Sequence, residues 1–354
     1  MYDSILITGG AGFIGSNLAI FLKRKFPSSE ITCFDSLKRR GSELNLVRLR
    51  ESGIHFFHGD VRNSEDFEPL PPFDLMVECS AEPSVLAGIN SSPKYVLNTN
   101  LSGTIQCLEE VRKNNAAIIF LSTSRVYPFR KINQLSFKEE KTRYSLEENP
   151  GYSGVSISGI QEDFPLHGPR SLYGATKLCS EYLIGEYIDS YGIRGIINRC
   201  GLVAGPWQMG KVDQGVVMLW VACHLLGKNL TYIGYNGTGK QVRDVLHIDD
   251  LCSLIAHQSE RMEEFNGEIF NVGGGLENSV SLQEMTSICR EITGNELFIS
   301  SDPVTRPNDL IWYVTDNAKV ARSFGWKPEK SVKDTITDIS RWIQTNKKLI
   351  SNII

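Results

Sequence analysis

The chain has 354 residues, and 37 Lys and Arg residues against 41 Asp and Glu residues give it a formal charge of −4. Its 41% hydrophobic and 22% charged residues are typical of a folded protein, which excludes a largely disordered chain. A mildly acidic sequence without a dense Lys/Arg block does not favour general binding to nucleic acids or to membrane surfaces.

Short β-branched runs alternate with longer segments of helical apolar spacing through the first half of the chain. Strands are predicted at residues 4–8, 31–35, 55–58, 75–79, 117–122 and 195–199. Helices are predicted near residues 13–25, 42–52, 98–114 and 173–191. This alternation predicts an α/β protein with a Rossmann-type doubly wound parallel sheet that helices cover on both faces.

The pattern loosens after residue 200, where glycine-rich stretches at 201–215 and 234–239 precede a predicted strand at 268–272. We therefore expect a smaller, loop-rich C-terminal lobe beside the α/β domain. The expected α/β domain comprises residues 1–199 plus about 240–262, a segment that returns to the sheet. The expected lobe comprises about 200–239 and 263–354.

The spacing of cysteines and histidines indicates whether the chain has metal sites and whether it works in a reducing compartment. The eight cysteines are scattered without a Cys-x-x-Cys pair, and the six histidines form no His-Glu-x-x-His motif, so no metal site is expected. The longest apolar run, 216–226, is far shorter than the roughly 20 residues that span a bilayer. The first residues enter a strand directly, without a signal-peptide pattern, and a reduced, cytoplasmic setting is expected.

A glycine-rich segment lies between the first predicted strand and the first predicted helix. It has Gly-x-x-Gly-x-x-Gly spacing and comprises the candidate binding residues Gly9, Gly12, Phe13, Ile14 and Gly15. Glycines at this spacing let the backbone turn tightly and approach a pyrophosphate, which then lies at the amides of the helix N-terminus. The segment therefore predicts a dinucleotide site.

Acidic residues at the ends of the next two strands fit the same site. Asp35 ends the second strand 20 residues after Gly15, where a carboxylate accepts the adenosine ribose hydroxyls. Because a carboxylate there repels a 2′-phosphate, the sequence favours NAD over NADP, although Lys38, Arg39 and Arg40 can relieve that repulsion. Asp60 and Val61 follow the third strand and are candidates for contact with the adenine, or simply a turn.

Tyr173 and Lys177 are four residues apart and hence on one face of a predicted helix. They lie downstream of Thr123, at the end of a predicted strand on the edge where ligands of parallel sheets bind. A phenol is a weak base at neutral pH, but a neighbouring ammonium and an oxidised nicotinamide favour its ionised form. Tyr173 is therefore a candidate base, with Thr123 and Lys177 as catalytic partners.

Together, the glycine segment, Asp35, Thr123 and the Tyr173/Lys177 pair resemble the extended short-chain dehydrogenase/reductase family of nucleotide-sugar epimerases and dehydratases. The resemblance implies an NAD-binding domain, a nucleotide-sugar-binding lobe and a homo-oligomer, a dimer or tetramer. It implies further cofactor contacts at Ser80, Ala81, Asn100 and Ser122. It implies substrate contacts at Asn198, Arg243, Arg306 and Asp309, where the arginines of segments 241–244 and 306–309 grip the diphosphate. Arg125 is a candidate for contact with the sugar or a phosphate, with a surface or structural ion pair as the alternative.

Within this family, segments 34–41, 122–127, 142–144 and 213–215 are similar to enzymes that invert carbon 2 of a CDP-linked deoxyhexose. The dehydratases of the family that this chain resembles carry Asp-Glu directly after the catalytic Thr. In this chain the two positions are Ser124 and Arg125. The sequence thus favours an NAD-dependent epimerase that forms a keto sugar transiently and returns hydride to the opposite face. A UDP- or GDP-hexose 4-epimerase and a non-catalytic NAD-binding sensor are the alternatives.

Overall fold

A computed structural model describes residues 2–147, 151–209 and 215–347 and divides them into two compact units. Unit 1 comprises the residues up to Val126 together with Ser171–Arg199 and Leu251–Phe270. Unit 2 comprises the described residues of Tyr127–Arg170, Cys200–Asp250 and Asn271–Ile354. Asp213 and Gln214, part of a segment used in the sequence comparison above, lie outside the described residues.

The strands are β1 (Ser4–Thr8), β2 (Glu30–Asp35), β3 (His55–His58), β4 (Leu75–Glu78), β5 (Ala117–Thr123), β6 (Phe137–Glu139), β7 (Tyr144–Leu146), β8 (Val155–Ser156), β9 (Gly159–Ile160), β10 (Arg194–Cys200), β11 (Leu202–Ala204), β12 (Leu230–Ile233), β13 (Val242–His247), β14 (Ile269–Val272), β15 (Ser279–Ser281), β16 (Ile299–Asp302) and β17 (Trp312–Tyr313). The α-helices are α1 (Phe13–Lys25), α2 (Asn45–Glu51), α3 (Lys94–Leu97), α4 (Gly103–Lys113), α5 (Phe129–Asn133), α6 (Leu172–Tyr191), α7 (Val216–Leu226), α8 (Ile248–Glu260), α9 (Leu282–Thr293), α10 (Ala318–Phe324) and α11 (Val332–Thr345).

Unit 1 is built on a seven-stranded sheet in the order β14-β10-β5-β4-β1-β2-β3. Pairing is parallel from β3 through β5, and the strand order reverses between β1 and β4. All seven residues of β5 and all four of β4 are buried, as expected for parallel strands that are covered on both faces. Such a reversal point is where doubly wound sheets bind ligands, at the carboxyl ends of the strands. The predicted α/β, Rossmann-type fold is confirmed.

Apolar side chains of the central strands and of two helices form the core on one face of this sheet. Phe120 of β5 and Met76 of β4 pack with Cys107 and Leu108 of α4 and with Ile184 of α6. The core therefore fixes α4 and α6 against β4 and β5. This arrangement holds the N-terminal half of α6 beside the end of β5.

Unit 2 contains a four-stranded sheet, in which β13 pairs with β11, β15 and β17, and the two-stranded β12–β16 sheet. Helices α7, α9 and α11 pack against one another. Ser281 and Ser331 each start a helix with a capping box, in which Glu284 and Asp334 bond back to the cap.

The domain boundaries differ from the prediction in two places. The segment that returns to unit 1 is Leu251–Phe270, whereas β13, within the predicted 240–262 segment, pairs in the sheet of unit 2. Tyr127–Arg170, predicted to belong to the α/β domain, groups with unit 2. No helix in the described part of the chain is both long and apolar enough to cross a membrane.

Candidate active site

The glycine loop between β1 and α1 is shaped by backbone contacts that leave no room for side chains. Gly9 has a φ of +63°, and a Cβ there would lie 2.9 Å from the backbone carbonyl carbon and oxygen of Cys79. A Cβ on Gly15 would lie 2.3 Å from the carbonyl oxygen of Gly9. Gly12 starts α1 without a side-chain cap, so the first helical amides are not satisfied by a capping side chain. Phe13 and Ile14 begin the helix, half-exposed.

Asp35, at the end of β2, is bound to this loop. Its carboxylate accepts the amide N–H of Ala11 at 3.1 Å and that of Leu37 at 2.8 Å. Burial raises the pKa of Asp35, and these amide bonds oppose the rise. Leu37 takes a φ of +55°, an uncommon conformation for a residue other than glycine. The carboxylate is thus placed beside the glycine loop, as the sequence predicts.

Asp60 and Val61 follow β3, with Asp60 in an ion pair that sequence reasoning missed. Arg62 donates from Nε and Nη2 to the two Asp60 oxygens at 2.9 and 2.5 Å, and this contact lowers the pKa of Asp60. The Arg62 guanidinium also lies 5.4 Å from the ring centre of Tyr95. Val61 is buried against Gly103, and a Cβ on Gly103 would lie 2.8 Å from the Cγ2 atom of Val61.

Helix α6 brings Tyr173 and Lys177 to the end of β5. Ser171 caps the helix by accepting the amide N–H of Gly174 at 3.2 Å. A Cβ on Gly174 would lie only 2.0 Å from the carbonyl oxygen of Arg125, so the missing side chain allows the helix to approach this closely. Thr123 accepts the Arg125 amide at 3.2 Å through Oγ1. The three predicted catalytic residues therefore belong to adjoining elements of unit 1.

Lys177 is the most unusual of these side chains, because a charged group is buried without a hydrogen bond. Only 1% of it is exposed, and its Nζ atom has no hydrogen-bond partner in the structure. The ammonium lies 4.1 Å from the ring centre of Phe120, a cation–π contact. An ammonium in such a place is suited to bind a hydroxyl that enters the site.

Asn100 lies in a single π-helical turn, Asn98–Ser102, and is completely buried. Its amide oxygen accepts the Glu82 N–H at 2.7 Å, and its amide nitrogen donates to the Glu82 carbonyl and to Thr176 Oγ1. These hydrogen bonds tie the loop after β4, which includes Ser80 and Ala81, to α6. The direct contact of Asn100 with the cofactor stays a prediction.

A buried ion pair between Arg199 and Glu181 anchors α6 to β10. Arg199 of β10 donates to both carboxylate oxygens of Glu181, and both side chains are buried. Ser122 donates its hydroxyl to the same carboxylate at 2.5 Å. The Ser122 hydroxyl thus belongs to this anchor, and its contact with the cofactor stays a prediction. Sequence reasoning missed Glu181 and Arg199.

Asn198 pairs with another amide inside unit 1. It is completely buried, and it exchanges two hydrogen bonds with Gln258, at 2.7 and 2.8 Å. Its contact with substrate stays a prediction. The pair joins β10 to α8.

Three of the predicted substrate residues, Arg243, Arg306 and Asp309, belong to unit 2, whereas Arg125 belongs to unit 1. Arg243 forms an ion pair with Asp309 at 2.8 Å and donates to the carbonyl oxygens of Val242 and Leu310, both at 2.7 Å. Arg306 is partly exposed in the same connecting segment as Asp309. The geometry thus places Asp309 as a partner that orients Arg243. In the described residues, no three His, Cys, Asp or Glu side chains are grouped so as to hold a metal ion.

Comparison with known proteins gives a consistent result. A sequence profile described as the NAD dependent epimerase/dehydratase family matches residues 5–273. The chain is 32% identical to a CDP-paratose 2-epimerase of Salmonella typhi, over 96% of this chain and 98% of that one. It is 26% identical to a dTDP-glucose 4,6-dehydratase of Mycobacterium tuberculosis, over 87% of each chain.

Solved structures share the fold. The dTDP-glucose 4,6-dehydratase of Streptomyces venezuelae with NAD bound has a TM-score of 0.79 and 27% identity, covering 99% of this chain and 100% of that one. The UDP-glucuronic acid 4-epimerase of Bacillus cereus has the same TM-score at 24% identity, covering 97% and 99% of the two chains.

The residues of unit 1 fit a dinucleotide. Gly9 and Gly15 form a backbone cradle that any side chain would fill, and Asp35 lies beside it. The Nζ atom of Lys177 is a donor without an acceptor among the described residues. NAD bound here would lie with its pyrophosphate on the loop and a ribose near Asp35. The chain is an NAD-dependent enzyme and belongs to the NAD dependent epimerase/dehydratase family.

Proposed function

We propose that this enzyme inverts carbon 2 of a CDP-linked deoxyhexose, by transient oxidation to a keto sugar. One observation carries the choice of epimerisation: Ser124 and Arg125 directly follow Thr123, and neither is a carboxylic acid that could supply the additional acid and base of a dehydration. Ser124 is buried, and the Arg125 amide is bonded to Thr123. The identity of 32% with a CDP-paratose 2-epimerase over nearly the whole chain supports the choice of nucleotide, sugar and carbon.

Each residue of the proposed centre has one task. Tyr173 removes the proton from the sugar hydroxyl, and the Lys177 ammonium, one helical turn away, favours the ionised phenol. Thr123 holds the reacting oxygen by a hydrogen bond. Bound NAD supplies the hydride acceptor and donor, so the overall reaction consumes no cofactor. Because no net redox change occurs, the same residues serve both directions of proton transfer.

In this proposal the nucleotide diphosphate stays bound while the keto sugar rotates to present its opposite face to the cofactor. Arg243 and Arg306 are proposed to hold the phosphates, with Asp309 orienting the Arg243 guanidinium, as its ion pair at 2.8 Å favours. Arg125 is proposed to contact the sugar or a phosphate. Epimerisation then needs a pocket that binds the sugar in two orientations, while binding energy from the nucleotide supplies the affinity.

A substrate panel tests this proposal. The purified enzyme receives CDP-, UDP-, dTDP- and GDP-hexoses in D2O, and NMR follows the ring protons. Inversion at carbon 2 of a CDP-deoxyhexose, with the original hydrogen kept on that carbon, is the expected result, because the hydride returns to the carbon it left. Inversion at carbon 4 of a UDP- or GDP-hexose overturns the proposed substrate, and loss of water with deuterium uptake overturns epimerisation.

A second test addresses Tyr173. Tyr173→Phe removes one hydroxyl, and we expect a loss of turnover of about 10²–10⁴-fold with NAD still bound. Tyr182→Phe is the matched control, because Tyr182 lies on the same helix with 61% of its surface exposed. Equal activity of the two variants would exclude Tyr173 as the base.

A further inference from the structure

A second buried charge lies beside the proposed centre, at the end of β4. Glu78 is fully buried, and its carboxylate oxygens lie 3.0 and 3.1 Å from Thr104 Oγ1 of α4. Sequence reasoning passed over it, because it follows three apolar residues of a predicted strand and matches no motif. A fully buried carboxylate is costly unless hydrogen bonds or an opposite charge compensate it.

The hydrogen bonds available to Glu78 are too few. Thr104 has one hydroxyl proton and three oxygen neighbours, the two Glu78 oxygens and the carbonyl of Asn100 at 2.8 Å. The carbonyl contact is the shortest of the three. Glu78 therefore receives at most one hydrogen bond from Thr104, so an ionised Glu78 depends on an opposite charge for its remaining stabilisation.

The opposite charge is that of Lys177, which lies next to Phe120. Glu78 is the register partner of Phe120 between the parallel strands β4 and β5, so their side chains emerge on the same face of the sheet. The ammonium of Lys177 lies 4.1 Å from the centre of the Phe120 ring. Glu78 and Lys177 are thus both buried neighbours of Phe120, one through the strand register and the other through its ring. Burial raises the pKa of Glu78, and the charge of Lys177 opposes that rise.

The other titratable groups nearby do not balance Lys177. Cys107 of α4 is fully buried, and burial raises the pKa of its thiol, which keeps it neutral. Glu110 interacts with Lys113 at 2.6 Å. Glu181, one turn further along α6, is already paired with Arg199 and Ser122. Tyr173, one turn earlier, is the proposed base. Among the described carboxylates, Glu78 is the one that these contacts leave for Lys177.

We propose that Glu78 is a positioning residue, whose carboxylate supplies the counter-charge that keeps Lys177 protonated beside Tyr173. The inference rests on the proposed function for the role of Lys177 in turnover. Glu78 touches neither cofactor nor substrate in this scheme, and it acts through the ammonium. An ammonium that kept losing its proton in the dry core would no longer favour the ionised phenol.

The experiment compares Glu78→Gln, which removes the charge at nearly constant shape, with Glu78→Asp, which retains it. Lysine ¹³Cε NMR, with the Lys177 signal identified by its loss in Lys177→Arg, reports side-chain protonation without substrate. In Glu78→Gln we expect Lys177 to bind its proton at least about tenfold more weakly, and kcat at pH 8 to fall about tenfold with KM unchanged. Glu78→Asp is expected to restore most of both.

A reciprocal measurement covers a Glu78→Gln chain that does not fold. Lys177→Met leaves an apolar side chain on Phe120, and linkage requires Glu78 to bind its proton more tightly by the same factor. Carboxyl ¹³C NMR of Glu78 measures this directly. Unchanged titration of Lys177 in Glu78→Gln, or of Glu78 in Lys177→Met, overturns the inference. A coupled pair in a protein that epimerises none of the panel leaves the inference standing and removes the proposed function.

Discussion

Gly174→Ala probes the close approach of α6 to the end of β5. A Cβ at this position would lie 2.0 Å from the carbonyl oxygen of Arg125 and 2.8 Å from its carbonyl carbon. Both atoms belong to the backbone, so no rotamer change relieves the contact. Restoring a separation of 3.0 Å, below which real Cβ contacts essentially never fall, moves the start of the helix by about 1 Å.

That displacement sets the expected magnitudes. Tyr173 precedes Gly174 and moves with it, whereas Thr123 stays with β5, and a misplacement of about 1 Å costs about 10²-fold in rate. Overpacking costs about 1–3 kcal/mol, and the better helix propensity of Ala returns roughly 0.5–1 kcal/mol. We therefore expect turnover to fall about 10²-fold, with a net loss of stability of at most about 2.5 kcal/mol.

The control variant is Gly185→Ala, on the same helix. A Cβ there meets nothing within 4 Å, so the substitution is expected to stabilise the helix by about 0.5–1 kcal/mol without loss of activity. Chemical denaturation followed by circular dichroism measures stability, and NMR of the converted nucleotide sugar measures turnover. If Gly174→Ala matches Gly185→Ala in both assays, the argument that a backbone contact sets the position of Tyr173 is refuted.

Two further predictions concern buried and surface polar pairs. Asn198→Leu leaves the Gln258 amide buried without its partner, so we expect the free energy of unfolding to fall by roughly 1–3 kcal/mol with an unchanged KM. A raised KM at unchanged stability would instead support the original substrate contact. The hydrogen bond from Arg112 lowers the pKa of Glu109 from 4.5 to about 2, so its stabilisation is present above pH 4.5 and is lost as pH falls. The Tm difference between wild type and Glu109→Gln should therefore shrink between pH 4.5 and 2, and a constant difference would contradict this cause.

The bounds of the first elements could be predicted closely because local patterns determine them. Helix α1 spans Phe13–Lys25 and β1 spans Ser4–Thr8, both as predicted, since a glycine loop and a change of apolar period mark their ends. The helix predicted at 98–114 is instead interrupted by the π-helical turn at Asn98–Ser102. Its cause is not local, because Asn100 bonds to the backbone of Glu82, 18 residues earlier.

The site residues divide in the same way. Motif spacing located the glycine loop, Asp35 and the Tyr173/Lys177 pair, since each motif is confined to a short segment. Spacing does not indicate which polar residue of a buried strand finds a partner inside the core. The pairing of Asn198, which was assigned to the substrate from the family resemblance, with Gln258 was for this reason not predicted, and Glu78 went unnoticed. Tyr127–Arg170, predicted to belong to the α/β domain, groups with unit 2, and its strands of two or three residues carry no period that could have indicated this.

Helix α6 carries a phenol, an ammonium and an anchoring carboxylate at every fourth residue, in Tyr173, Lys177 and Glu181. Each step of four residues advances about 40° around the axis, so the three side chains form one slowly winding stripe. A rotation of α6 about its own axis would therefore displace all three groups together. Restoring them would require the helix to return to its original rotation, because a change at one side chain repositions only that group.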